Sequence, residues 1–161
     1  MIIVMERPPG TVDGHDYLFQ VKYIPEDQVK VIFKQIINAA LLMHKNGVFH
    51  RDLKLDNILV DRSKGTPEIR VIDFKCGDFV ENEPFSYFDG TPEYAPPEVY
   101  RWETYKAEAT TVWQIGLLTT WRTLRVLRRL ISLLFVVMHR ENKRLEQRTS
   151  KHCTQCALVW I

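Results

Sequence analysis

The residues of this 161-residue chain best suited to chemistry lie in one short run, His50-Arg51-Asp52-Leu53-Lys54-Leu55-Asp56-Asn57. Sixteen positions after Asn57 comes Asp73-Phe74. Asp52 offers a carboxylate that can take or orient a proton, and Lys54 an ammonium that can meet negative charge. Asn57 and Asp73 offer oxygens of the kind a hard divalent cation accepts. An Asp-Asn pair in a loop is by itself ordinary turn chemistry, and Asp73 alone could be a capping residue. A third group, Gly90-Thr91-Pro92-Glu93-Tyr94-Ala95-Pro96-Pro97-Glu98, follows in the same order along the chain.

The elements that must position these groups are legible in outline. Val29, Ile32, Phe33, Ile36, Ile37, Ala40 and Leu41 fall at the spacing of one buried helical face. Pro25 precedes that helix, Glu26 and Asp27 suit its positive end, and Asn46-Gly47 suits its stop. Met1 to Met5 reads as a buried strand. Ile58-Leu59-Val60 and Ile69-Arg70-Val71-Ile72 read as two strands joined by a turn-rich loop. Residues 75 to 97, rich in Gly and Pro, read as a long ordered loop, a kind of segment that is more often functional than accidental.

The order of the three motifs resembles the protein kinases: catalytic loop, metal-binding Asp-Phe, and an activation loop closing in Pro-Glu. The resemblance implies roles for single residues. Asp52 would orient the attacking hydroxyl, and Lys54 would meet the γ-phosphate. Asn57 and Asp73 would hold Mg²⁺, with ATP as phosphoryl donor. Lys54 and Thr91 resemble the serine/threonine rather than the tyrosine kinases. His50 and Arg51 are expected to serve as scaffold and loop tether, and Glu98 as a structural ion-pair partner at the end of the activation loop.

Further details are similar to the Pim family. Glu6-Arg7-Pro8 resembles its hinge, where proline removes a backbone donor and Glu6 would contribute a carbonyl to the adenine. Asp13 and Asp16 match acidic positions near the ribose. Leu59 would floor the adenine pocket. Asp89-Gly90-Thr91, Pro96-Pro97-Glu98 and Thr111-Val112-Trp113-Gln114-Ile115-Gly116 complete the likeness, which runs from Met1 to about Leu118.

The implied fold is α+β and mostly helical: the C-terminal lobe of a protein kinase with a small β-ribbon near the catalytic loop. Residues 1–118 form this partial domain. The family's Gly-rich loop, strand lysine and helix glutamate have no counterpart in the sequence, so the N-terminal lobe is expected to be absent. The metal motif reads Asp73-Phe74-Lys75 where the family has glycine third. Lysine there would be strained if its φ were positive, and its charge beside Asp73 would weaken metal binding. These departures leave a catalytically inactive remnant, acting as a binding module, as the alternative function.

Composition separates the rest of the chain. Residues 1–116 carry a net charge of −5 and residues 117–161 a net of +7, and all 7 Gly and 8 Pro lie in the first part. The tail, 119–161, is expected to be basic, helical by composition and of no recognised family. Arg122, Arg125, Arg128 and Arg129 among apolar residues would suit an amphipathic surface helix, but no membrane contact is expected. Leu130 to Met138, the longest uncharged apolar run near the C-terminus, is far short of the ~20 residues that span a bilayer. His152 with the single Cys153-x-x-Cys156 pair is too little for a zinc site, and no motif points to specific nucleic acid. The opening residues lack the pattern of a signal peptide. Three cysteines, Cys76, Cys153 and Cys156, fit a reducing compartment. A monomer acting on protein substrates is expected in the cytoplasm, with the nucleus as a second location.

Overall fold

The computed structural model describes residues 4, 8–21, 24–63 and 65–120. Among these residues five short strands and four helices run in the order β1 (Thr11–Asp13), α1 (Gly14–Gln20), α2 (Glu26–Lys45), β2 (Val48–Phe49), β3 (Ile58–Asp61), β4 (Glu68–Val71), β5 (Asp78–Phe79), α3 (Pro97–Trp102) and α4 (Ala107–Thr120). One-turn 3-10 segments lie at Leu55–Asn57 and Pro92–Tyr94.

The helix expected from apolar spacing is α2, and its buried side is Val29, Ile32, Phe33, Ile36 and Ala40. Its end follows the expected chemistry. Asn46 caps it, and Gly47 takes φ 72°, a left-handed turn open to glycine without a Cβ penalty. The two expected strands are β3 and β4, paired antiparallel with Leu59 opposite Arg70 and Val60 opposite Ile69. On the other edge of β3 lies β1, with Asp13 opposite Leu59. The sheet order is therefore β1-β3-β4. Gln35 of α2 fastens β4 by donating to the Pro67 carbonyl (2.8 Å) and accepting from the Ile69 N–H (3.0 Å).

The main core joins the buried face of α2 to Tyr17, Leu53, Leu55, Ile58, Val60, Ile115 and Leu118. It thus packs both flanks of the catalytic-loop motif against α2 and α4. A second, aromatic cluster gathers Phe49, Tyr105 and Ala107 with Phe85 and Phe88. His44 of α2 meets Thr111 of α4 at 2.8 Å, a further tie between the two long helices.

Several expectations are revised. Residues 75–97 are not loop throughout: β5 pairs with β2, setting Phe49 opposite Asp78, and a 3-10 turn follows Thr91. Thr11–Asp13 and Gly14–Gln20 form a strand and a helix that periodicity alone did not reveal, because each is too short to show a period. Val4 is 92% exposed and outside any strand, which does not fit a buried strand there. The rest of Met1–Met5, the Glu6-Arg7 hinge pair and residues 121–161, with Cys153 and Cys156, lie outside the described residues.

Candidate active site

The loop between β2 and β3 carries the main cluster. It begins at His50, which is 1% exposed. The His50 Nε2–H donates to the Ile72 carbonyl (3.0 Å), and Nδ1 accepts from the Asp52 N–H (3.3 Å). This pairing fixes a neutral ring. Burial pushes its pKa below the usual histidine value, despite the nearby Ile72 carbonyl, Asp52 and Asp73. The Phe74 ring packs on it at 4.7 Å.

Arg51 is buried and takes φ 66°. A non-glycine residue in that region costs roughly 1–2 kcal/mol, so the surroundings must hold it. They do so densely. Its Nη2 donates to Asp78 Oδ2 on β5. Its guanidinium lies 5.3 Å from the Phe85 ring centre and 5.8 Å from that of Phe49. The loop-tether expectation for Arg51 fits this geometry, and the tether is Asp78, which nothing in the sequence marked.

Asp52 is 2% exposed, and both of its carboxylate oxygens have partners. Oδ1 accepts from the Thr91 N–H at 2.8 Å. Oδ2 lies 3.1 Å from Lys54 Nζ and accepts from Asn57 Nδ2 at 3.2 Å. The same Asn57 nitrogen donates to the Asp52 carbonyl at 2.8 Å. Burial raises the pKa of Asp52, but the hydrogen bonds from Thr91 and Lys54 outweigh it and hold the carboxyl below its usual value. Burial likewise lowers the pKa of Lys54, and Asp52 with Asp56 and Cys76 outweighs that and raises it. Both groups are therefore charged at neutral pH. Lys54 Nζ also donates to Thr91 Oγ1 at 2.6 Å.

Thr91 thus belongs to the cluster itself, a closeness that the 39-residue separation from Asp52 conceals in the sequence. Gly90 makes the approach possible: a Cβ there would lie 2.5 Å from the Arg51 carbonyl oxygen and 2.7 Å from the Phe88 ring.

Asp73 lies two residues beyond the end of β4. The Ile72 N–H binds the Asn57 carbonyl at 2.9 Å, which brings the two candidate metal ligands onto neighbouring backbone. Asp73 itself takes φ 63°. Lys75 is not in the left-handed region, so the strain expected for lysine in place of glycine does not arise. Instead the Lys75 ammonium sits 3.6 Å from Asp73 Oδ2, at a solvent-exposed position.

The ribose-side expectations separate. Asp13 caps α1 by accepting from the Asp16 N–H at 2.8 Å, and it lies across the strand pair from Leu59. Leu59 lies on the central strand β3, and α1, which carries Asp16, packs against β3 and the Leu55–Asn57 turn. Glu98 lies in the first turn of α3. Among the described residues no basic side chain pairs with it.

The protein kinase domain model matches residues 1–127, a span that includes Asp52, Lys54, Asn57, Asp73 and Thr91. The chain belongs to the protein kinase family. It is similar to the serine/threonine-protein kinase pim-2 of Danio rerio, 37% identical over 117 residues, covering 73% of this chain and 37% of the relative. It is also similar to the serine/threonine-protein kinase prk-2 of Caenorhabditis elegans, 35% identical over 117 residues, covering 73% of this chain and 26% of the relative. The serine/threonine-protein kinase PSK2 of Saccharomyces cerevisiae is 35% identical over 109 residues, 68% of this chain and 10% of its own length. The chain therefore spans little more than a third, or less, of these relatives.

Proposed function

We propose that this chain is the hinge and C-terminal-lobe portion of a Pim-like serine/threonine protein kinase, serving transfer of the ATP γ-phosphate to protein Ser and Thr hydroxyls. One observation carries the reading: a buried Asp52 carboxyl held from three sides by Thr91, Asn57 and Lys54. Phosphoryl transfer asks mainly for positioning and charge neutralisation, and this cluster supplies both. Asp52 has lone pairs fixed in direction, so it can orient a substrate hydroxyl and take its proton as the oxygen attacks phosphorus. Lys54 keeps its charge and can stabilise negative charge developing on the transferred group.

The donor set fits Mg²⁺. Asn57 commits its amide nitrogen to Asp52, which leaves Oδ1 as the ligand atom, and Asp73 adds a carboxylate. Bound Mg²⁺ would neutralise phosphate charge. Asp13, Asp16 and Leu59 would border the nucleoside, with Glu6 at the hinge. Protein substrates, a monomeric form and a cytoplasmic setting belong to the same reading.

The test is phosphate transfer from labelled ATP to Ser/Thr peptides by the full chain and by Asp52→Asn. Loss of at least about 100-fold is expected, given the usual 10²–10⁴-fold worth of a positioned acid–base group. The variant should still fold, though with a lowered melting temperature, because Lys54 loses its buried partner. Equal transfer by the variant would overturn the reading. A second reading, a binding module without transfer, has one observation in its favour: the Lys75 ammonium beside Asp73. Calorimetry decides it, since absence of saturable Mg·ATP binding at millimolar nucleotide would make the binding module the better reading.

A further inference from the structure

Gln114 lies in the middle of α4, far along the chain from the catalytic-loop motif, and its side chain is fully buried. Its Nε2 donates to the Arg51 carbonyl at 2.7 Å, and its Oε1 accepts from the Leu53 N–H at 3.1 Å. These two backbone groups flank Asp52 on either side. The amide orientation is fixed by its partners, because the reverse would set NH₂ against N–H and oxygen against oxygen.

We propose that Gln114 is a positioning residue for Asp52, a single amide that sets the backbone of the catalytic aspartate from both sides. The proposal rests on the role of Asp52 given above. The segment it holds needs such a hold. Arg51 sits in the left-handed region, and strained backbone of this kind persists only where its surroundings over-determine it. The Arg51 carbonyl and the Leu53 N–H belong to no strand or helix, so without Gln114 both would be buried and unpaired. Among uncharged side chains only Asn and Gln present a donor and an acceptor at this fixed spacing, and Gln has the longer reach. The Asp52 carboxylate is separately held by Thr91, Asn57 and Lys54. Gln114 thus acts on the backbone either side of Asp52, Asn57 on the Asp52 carbonyl as well as its head group, and Thr91 and Lys54 on the head group alone.

The test uses the full chain with Gln114→Met, which keeps length and removes both hydrogen bonds. The expected result is a fall in kcat of about 10–100-fold with KM for ATP within twofold, the size expected when a reacting group is displaced by about 1 Å. Faster hydrogen exchange at the Leu53 amide should accompany it. Gln114→Glu adds a pH readout. A protonated glutamic acid keeps one donor and one acceptor, whereas its anion loses the donor. Activity relative to the parent chain should therefore fall as pH rises through the pKa of the buried carboxyl. A folded Gln114→Met with unchanged kcat and unchanged Leu53 exchange would overturn the proposal. So would a flat relative pH profile in Gln114→Glu, which also serves if the methionine variant fails to fold. If the parent chain transfers no phosphate, the role of Asp52 fails first, and the Leu53 amide still reports whether Gln114 holds the loop.

Discussion

The two carboxylates of the site live in different surroundings. Asp52 is buried, receives hydrogen bonds from Thr91 and Asn57, and pairs with Lys54 at 3.1 Å. Asp73 is partly exposed, and the cation beside it is Lys75 at 3.6 Å, itself largely in solvent. The first environment fixes direction and charge before any substrate arrives. The second leaves a ligand atom open to water, salt and competing cations. A group locked by its neighbours tolerates little change nearby, whereas an exposed one can accept a substitution such as lysine for glycine at a small cost.

The sharpest way to break this contrast is to remove one partner from each half. Asn57→Ala leaves the Asp52 carbonyl without its donor and Oδ2 with Lys54 alone in a buried site, where an unsatisfied group costs about 1–3 kcal/mol. A melting temperature lower by about 3–10 °C is expected for a chain of this size, together with lost transfer. Asp73→Asn, on the exposed side, should leave the melting temperature within about 1 °C, because surface changes of this kind stay near ±0.5 kcal/mol. Equal losses of stability in the two variants would erase the distinction.

A smaller effect comes from the buried imidazoles behind the locked half. Burial lowers the pKa of His44 to about 4 and also lowers that of His50. An unfolded histidine takes a proton near pH 6.5, so the unfolded chain binds more protons below that value and the folded state loses ground as pH falls toward 4. Thermal melts between pH 7 and 4.5 should show the drop. His44→Gln, which can keep the bond to Thr111, should make it shallower by about 3–5 °C. Identical pH slopes for parent and variant would show that His44 is not the group responsible.

The smallest effect is expected at Lys75. An exposed pair is worth about 0–1 kcal/mol, so Lys75→Gly should tighten Mn²⁺ or Mg²⁺ binding by about two- to fivefold in calorimetry. The gain should shrink as salt is raised, because exposed charges are screened. Unchanged affinity at low salt would mean that the Lys75–Asp73 contact does not compete with the metal.

The parts readable from sequence are those with a long period or a long motif. The apolar face of α2 repeats over about three turns, from Val29 to Ala40, and the run from His50 to Asn57 is specific enough to locate the site loop. The β3–β4 pair was visible because β-branched residues flank a turn. Contacts made across the chain were not visible. Nothing in residues 78 or 91 alone says that Asp78 meets Arg51 or that Thr91 meets Asp52 and Lys54, since those contacts join residues 27 to 39 positions apart and exist only in the folded chain. The strain expected at Lys75 failed for a related reason. A residue type suggests which φ it dislikes, but the fold decides which position takes it, and here Asp73 does.

Gly90 carries no functional group, yet the space between it, the Arg51 carbonyl and the Phe88 ring is already full. A ranking of positions by chemical reactivity would pass over it. A saturation mutagenesis screen should score it beside Asp52, because even an added methyl would drive Thr91 away from the carboxylate it steadies. Loss of function from such a change would be mistaken for a catalytic lesion while every charged side chain remained in place.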